Sequence, residues 1–138
     1  MRQYFEIKGI PKPQARARFF VNKKGGIGKY DPNDSANEKE NIRAQIAICN
    51  PQIVPIREGI ALSVKFIFPR SKGHFGKKGL LPSAPKNHTS RPDIDNCLKG
   101  LMDACKGVLW IDDTQIVTVL AEKIYGIDKA QTVISLVS

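Results

Sequence analysis

The sequence predicts an α+β domain, a small mixed or mostly antiparallel sheet with two helices packed on it, in the order β-β-α-β-α-β-β. Four runs of residues lead there. Ile60, Leu62, Val64, Phe66 and Phe68 alternate with Ala61, Ser63, Lys65 and Ile67, the period of a strand with one richly apolar face. Ile94, Cys97, Leu98, Leu101, Met102, Cys105, Val108 and Leu109 recur at helical spacing and describe a helix buried along one side. Residues 115–125 and 132–137 alternate again, and Gly126-Ile127-Asp128-Lys129-Ala130 between them suits a hairpin.

The remaining elements follow in chain order. Tyr4–Ile10 and Arg18–Val21 read as short strands. Asp34 or Ser35 suits the N-cap of a first helix running through Ile42, Ile46 and Ile48 to about Cys49, where Asn50-Pro51 stops it. Pro92 suits the first turn of the second helix, where its missing N–H costs nothing, and Gly107 suits the position just past its end. Gly25, Gly26 and Gly28, with Gly73, Gly76 and Gly79, read as flexible loops; none fits a phosphate-binding P-loop.

With 138 residues, the chain suits one domain spanning residues 1–138. It has no membrane-length apolar run and no signal peptide, so a soluble cytoplasmic protein is expected. Cys97 and Cys105 fall on the apolar helix face and read as reduced core residues, with Cys49 a free thiol near a helix end. The formal net charge is +9, which points to a polyanionic partner. That charge is concentrated in two acid-free tracts. Residues 12–30 hold Lys12, Arg16, Arg18, Lys23, Lys24 and Lys29; residues 59–92 hold Lys65, Arg70, Lys72, Lys77, Lys78, Lys86 and Arg91. From these we take Arg16, Arg18, Lys23, Lys24, Lys72, Lys77, Lys78, Lys86 and Arg91 as the candidates for polyanion binding, contacts that would position a phosphate backbone without reading sequence.

The second tract runs straight into the densest chemistry of the chain, residues 91–117, RPDIDNCLKGLMDACKGVLWIDDTQIV. Asp95, Lys99 and Asp103 recur every four residues and share one exposed stripe, with Asp93 at or just before the first turn. An acid there can simply cap the helix, a role worth roughly 0.5–2 kcal/mol. Asp112 and Asp113 sit between the apolar Val108-Leu109-Trp110-Ile111 and the next strand, and a short return from helix to sheet would bring one or both beside Asp93 and Asp95. Converging carboxylates repel unless a cation neutralises them. Hard oxygen donors without His or Cys favour Mg²⁺ or Mn²⁺ over zinc. Lys99 would be the cation on that face, placed to steady a phosphate. Trp110 reads as a core anchor behind the acid pair; His74 and His88 read as loop histidines, the latter within reach of a phosphate.

Pro92-Asp93-x-Asp95-Asn96, then Leu98-Lys99, Asp103 and Trp110-x-Asp112-Asp113-x-Gln115-Ile116-Val117, resembles the signature of the RusA family of Holliday-junction resolvases, endonucleases that cut four-way DNA junctions. The resemblance is strongest over residues 91–117 and departs in the long loop between Pro69 and Arg91. It implies Asp93, Asp95 and Asp113 as the catalytic acids and metal ligands, Lys99 as the catalytic lysine, and Asp112 as a secondary ligand. It also implies Mg²⁺ as cofactor with Mn²⁺ as a substitute, branched DNA as substrate, a homodimer, and a place in recombination and repair in a bacterium or its phage. The expected reaction is phosphodiester hydrolysis by a metal-activated water, in two symmetric nicks. Three rivals stand beside it: a nuclease for flaps or forks, a nonenzymatic nucleic-acid binding module whose acids only cap a helix, and a basic structural protein such as a ribosome-associated factor.

Overall fold

A computed structural model of the chain describes all residues except 15–17, 22, 31 and 32. The sheet is built of β1 (Arg2–Lys8), β4 (Ile60–Phe68), β7 (Ile116–Tyr125) and β8 (Gln131–Val137) in the spatial order β1-β8-β4-β7. The β1/β8 and β8/β4 pairs are antiparallel and β4/β7 is parallel, so the sheet is mixed. Two helices, α1 (Asn33–Cys49) and α2 (Ile94–Cys105), complete the expected α+β architecture. Three strands exceed the expected order: β3 (Ile27–Tyr30) pairs with β2 (Arg18–Val21), and a small hairpin of β5 (Phe75–Gly76) and β6 (Gly79–Leu80) rises from the loop after β4.

The alternation of β4 sets the core. Ile60, Leu62, Val64, Phe66 and Phe68 are all buried, each worth roughly 1.5–3 kcal/mol when fully removed from water. They meet Phe5 and Ile7 of β1, Ile134 and Leu136 of β8, Ile42 and Ile46 of α1, and Cys97, Leu101, Ala104 and Cys105 of α2. Cys97 and Cys105 are free thiols in that core, and burial pushes them up to about 11 and about 12. Ile48 and Ile94, expected on apolar helix faces, are exposed. Parallel strands need a crossover, and α2 supplies it: β4, α2 and β7 form a βαβ unit. The N-terminus of α2 therefore lies toward the C-terminal ends of β4 and β7, and its C-terminus toward their starts.

Several boundaries differ from expectation. β1 ends at Lys8 rather than Ile10 because Gly9 adopts φ 117°. The Gly25 and Gly28 stretch forms the β2–β3 hairpin, with Gly25 at φ 80° in its turn, where the glycines alone read as loop. The first helix begins at Asn33, ahead of Asp34 and Ser35. β7 begins at Ile116, after a 3-10 turn at Asp113–Gln115. Pro92 lies outside α2 rather than in its first turn, behind a cis Arg91–Pro92 bond, with Asp93 as N-cap.

The expected β7–β8 hairpin is overturned: both strands pair with β4, which lies between them. Residues 126–130 carry the chain over the end of β4, where Gly126 N donates to Phe68 O at 2.9 Å. A side chain at Gly126 would collide with Lys129 O and with Ile67, so the crossing requires a glycine. Among the described residues no helix is long and apolar enough to cross a membrane.

Candidate active site

Asp93 is the N-cap of α2 and Asp95 lies in its first turn. The Asp93 carboxylate makes no capping hydrogen bond, so the simplest structural use of an acid at this position is not made here. Asp93, Asp95 and Lys99 are all exposed, and no side-chain hydrogen bond or ion pair engages them among the described residues. Asp103, four residues beyond Lys99, is different: Lys39 of α1 holds it at 3.1 Å. A cleft of about 600 Å³ opens beside the acids, lined by Pro13, Arg91, Pro92, Asp93 and Asn96.

Two segments fix this end of α2. Gln14 N donates to Asn96 O at 3.1 Å, and the same residue crosses so close over Gly100 that a Cβ there would lie 3.1 Å from its backbone nitrogen. On the other side, residues 86–90 run along the outer edge of β7. Tyr125 N donates to Lys86 O at 2.9 Å, His88 N to Lys123 O at 3.1 Å, and Lys123 Nζ to Ser90 O at 2.6 Å. His88 stacks on Phe68 with ring centroids 3.8 Å apart, its Nδ1 buried without a partner. Burial, then the Lys123 charge, hold its pKa below the usual histidine value. Lys123 also joins Asp93 and Asp95 among the charges felt by the Cys97 thiol. Sequence reasoning missed Lys123, because a lysine in an alternating strand reads as a solvated face.

Asp112 and Asp113 lie at the other end of α2. The chain turns at once after the helix: Val108 N and Leu109 N donate to Cys105 O at 3.0 and 2.8 Å, and Gly107 N donates to Trp110 O at 2.6 Å. Arg43 of α1 caps this terminus, donating to Ala104 O at 2.9 Å and Lys106 O at 3.2 Å. The acid pair therefore stays beside Cys105 and Lys106, whose pKa values both respond to Asp113. Twelve residues of α2, about 18 Å at the usual helical rise, separate it from Asp93 and Asp95. The expected convergence of all these acids within one chain is not found, and among the described residues no three His, Cys, Asp or Glu side chains could hold a metal ion together.

The two acids of this pair are held differently. Asp112 accepts from Thr114 Oγ1 at 2.9 Å and pairs with Lys106 at 3.1 Å, contacts that hold its carboxyl below the usual range. Asp113 accepts the indole N–H of the fully buried Trp110 at 2.7 Å, so the core anchor also aims this carboxylate. Gln115 orders the turn: its Oε1 accepts from Ile111 N and Asp112 N, both at 2.8 Å, and its Nε2 donates to Ile56 O and Glu58 O. The donors available to a metal are oxygens alone, which suits a hard divalent ion. Within one chain two of these carboxylates lie at each end of α2.

The basic candidates divide likewise. Lys23 and Lys24 lie in the exposed turn of the β2–β3 hairpin. Arg18 begins β2, and Arg16 lies outside the described residues. Lys72, Lys77 and Lys78 belong to the exposed hairpin region, and Lys86 and Arg91 to the segment leading to Asp93. The long 70–90 loop holds a 3-10 turn at Lys72–His74 and the β5–β6 hairpin.

Comparison with known proteins gives the context for this arrangement. The chain is 28% identical over 125 residues to the uncharacterized protein YqaN of Bacillus subtilis (strain 168), a match covering 88% of this chain and 87% of that protein. Residues 8–136 match the family Endodeoxyribonuclease RusA. Nucleases of that family are generally divalent-metal-dependent and act on branched DNA. With nearly its whole length matched, the chain belongs to the RusA family of endodeoxyribonucleases, hydrolases that resolve Holliday junctions.

Proposed function

We propose that the protein is a Mg²⁺-dependent, homodimeric endonuclease of the bacterial cytoplasm, cellular or phage-encoded, that resolves four-way junctions with paired symmetric nicks. In this reading each metal site is shared: Asp93 and Asp95 come from one copy and Asp113 from the other. The observation that carries it is the separation of these acids across the length of α2 while each carboxylate remains accessible. A two-fold axis set against α2 joins the N-terminal end of one copy to the C-terminal end of its mate.

The outer edge of β7 supports such an axis. Residues 86–88 cover it at Lys123 and Tyr125, and the stretch Val117–Ala121 is uncovered among the described residues. Val117, Val119 and Leu120 are 73%, 41% and 59% exposed there. Antiparallel pairing of two copies of this stretch about Val119 would set residue 113 of one level with Tyr125 of the other, the end at which Lys123 holds Ser90.

The bound divalent ion would supply an activated water and charge neutralisation at phosphorus. The residues of the chain do the rest. Asp93, Asp95 and Asp113 would hold the ion, Trp110 would orient Asp113, and Lys99 would face the negative charge that grows on the phosphate. Lys106 and Thr114 occupy Asp112, which supports a secondary role for it. Lys23, Lys24, Lys72, Lys77, Lys78, Lys86 and Arg91, with Arg16 and Arg18, would track the phosphate backbone and make binding steeply salt-dependent. The test is cleavage of an end-labelled synthetic four-way junction against its linear duplex, with Mg²⁺ and with chelator. Paired symmetric nicks on the junction alone, and only with metal, are expected; binding without cutting would return the protein to the nonenzymatic class, and equal cutting of flaps or forks would make it a general branched-DNA nuclease.

A further inference from the structure

The β5–β6 hairpin carries an unusual combination of side chains. Phe75, Leu80 and Leu81 are 40%, 42% and 37% exposed, although the surrounding tract is basic and free of acids. Phe75 and Leu80 are cross-strand partners, and Lys77-Lys78 form the turn between the strands. Leu81 folds back over Gly76, where a Cβ would sit 2.9 Å from Leu81 Cδ2. The core contains none of the three.

The stem of this hairpin is fixed to the end of the sheet. Arg70 donates to Gly126 O at 2.9 Å and Pro85 O at 2.6 Å, and its guanidinium lies 5.2 Å from the centroid of the Tyr125 ring. His74 meets the same ring edge-on at 4.8 Å, and Leu81 N donates to His74 O at 2.9 Å. Lys123, two residues before Tyr125, holds Ser90 just ahead of Asp93. The apolar hairpin and the exposed acids are thus anchored to the same end of β7.

We infer that this hairpin distinguishes a branch point from linear duplex, with Phe75 stacking on a base that is unpaired or unstacked there. The inference rests on the proposed junction substrate. The flanking lysines 72, 77 and 78 call for a polyanion, whereas the apolar side chains between them call for a surface that is neither charged nor hydrated. A paired duplex presents phosphates outward and keeps its base faces hidden. An opened branch point offers both together, and an inserted or stacked apolar side chain stabilises such unstacked bases.

The test uses the full-length protein in chelator, with four-way junctions carrying 2-aminopurine either at the branch or within an arm. Wild type is expected to change the fluorescence of the branch probe and leave the arm probe unaltered. Phe75→Ser should abolish that change and lower the ratio of junction to duplex affinity about tenfold, the scale of one lost stacking contact. Phe75→Trp should retain both. If Phe75→Ser melts early by circular dichroism, Phe75→Leu keeps the apolar bulk without the aromatic face and should still lose the fluorescence change. An unchanged affinity ratio in a folded Phe75→Ser, or a silent branch probe with wild type bound, would overturn the inference while leaving the nuclease reading intact. A wild type that binds junction no better than duplex would remove the proposed substrate itself, and this role of Phe75 with it.

Discussion

Replacing Trp110 by phenylalanine isolates the contact that joins core to chemistry. The indole is fully buried and donates to Asp113 Oδ1 at 2.7 Å. A hydrogen bond to a charged acceptor contributes about 1.5–3 kcal/mol, and the partly exposed carboxylate puts this one at the lower end, about 1.5–2 kcal/mol. The smaller ring also leaves a void, which adds about 1–2 kcal/mol. A total near 3 kcal/mol should lower the melting temperature by roughly 10 °C in a domain of this size. Urea denaturation of wild type, Trp110→Phe, Asp113→Ala and the double variant separates the two parts. The cycle should give a coupling of about 1.5–2 kcal/mol, because the void is common to both arms. Coupling below about 0.5 kcal/mol would refute the claim that the indole holds this carboxylate.

Further outcomes follow from the same contacts. Asp93→Asn and Lys99→Met should each lower junction cleavage by about 10²-fold or more, a scale set by lost electrostatic stabilisation, with little change in melting temperature, since neither side chain is engaged in the fold. Asp112→Ala should retain more cleavage than Asp113→Ala in the same assay, because Lys106 and Thr114 already occupy Asp112. Burial, then Lys123, lower the His88 pKa, so the unfolded chain takes up its proton first as pH falls. Its contribution is fully present above about pH 6.5, the unfolded value, and is lost as pH falls from there through the lower folded value. Melting temperatures between pH 7.5 and 5.0 should show this loss, and His88→Phe should flatten it. The Lys39–Asp103 pair is half-exposed on both sides, so Lys39→Met should cost no more than about 1 kcal/mol in urea denaturation.

The sequence carried the elements better than their partnerships. The alternation of β4 and the apolar stripe of α2 are written residue by residue, because burial on one face dictates side-chain period. Strand order is not written that way. Residues 126–130 looked like a hairpin turn, yet they straddle β4, and the close approach of Gly126 to Lys129 and Ile67 that this crossing requires is a tertiary contact with no sequence period. The short strands β3, β5 and β6 were illegible because their glycines and lysines give no apolar alternation in the sequence. The acids were legible as a motif and misleading as a cluster. Their spacing permitted a return to the N-terminus of α2, whereas the turn from Cys105 to Trp110 keeps Asp113 at the other end. Trp110 was readable as a core anchor, but its bond to Asp113 needed the structure.

Mixing two inactive variants tests the shared site most directly. Asp93→Asn and Asp113→Asn proteins, each unable to cut a four-way junction alone, would be combined, allowed to exchange subunits, and assayed with Mg²⁺. If each site takes Asp93 and Asp95 from one copy and Asp113 from the other, mixed dimers contain one intact site and nicking returns. Continued inactivity, with subunit exchange verified, would contradict the account and put all three acids of a site in a single chain.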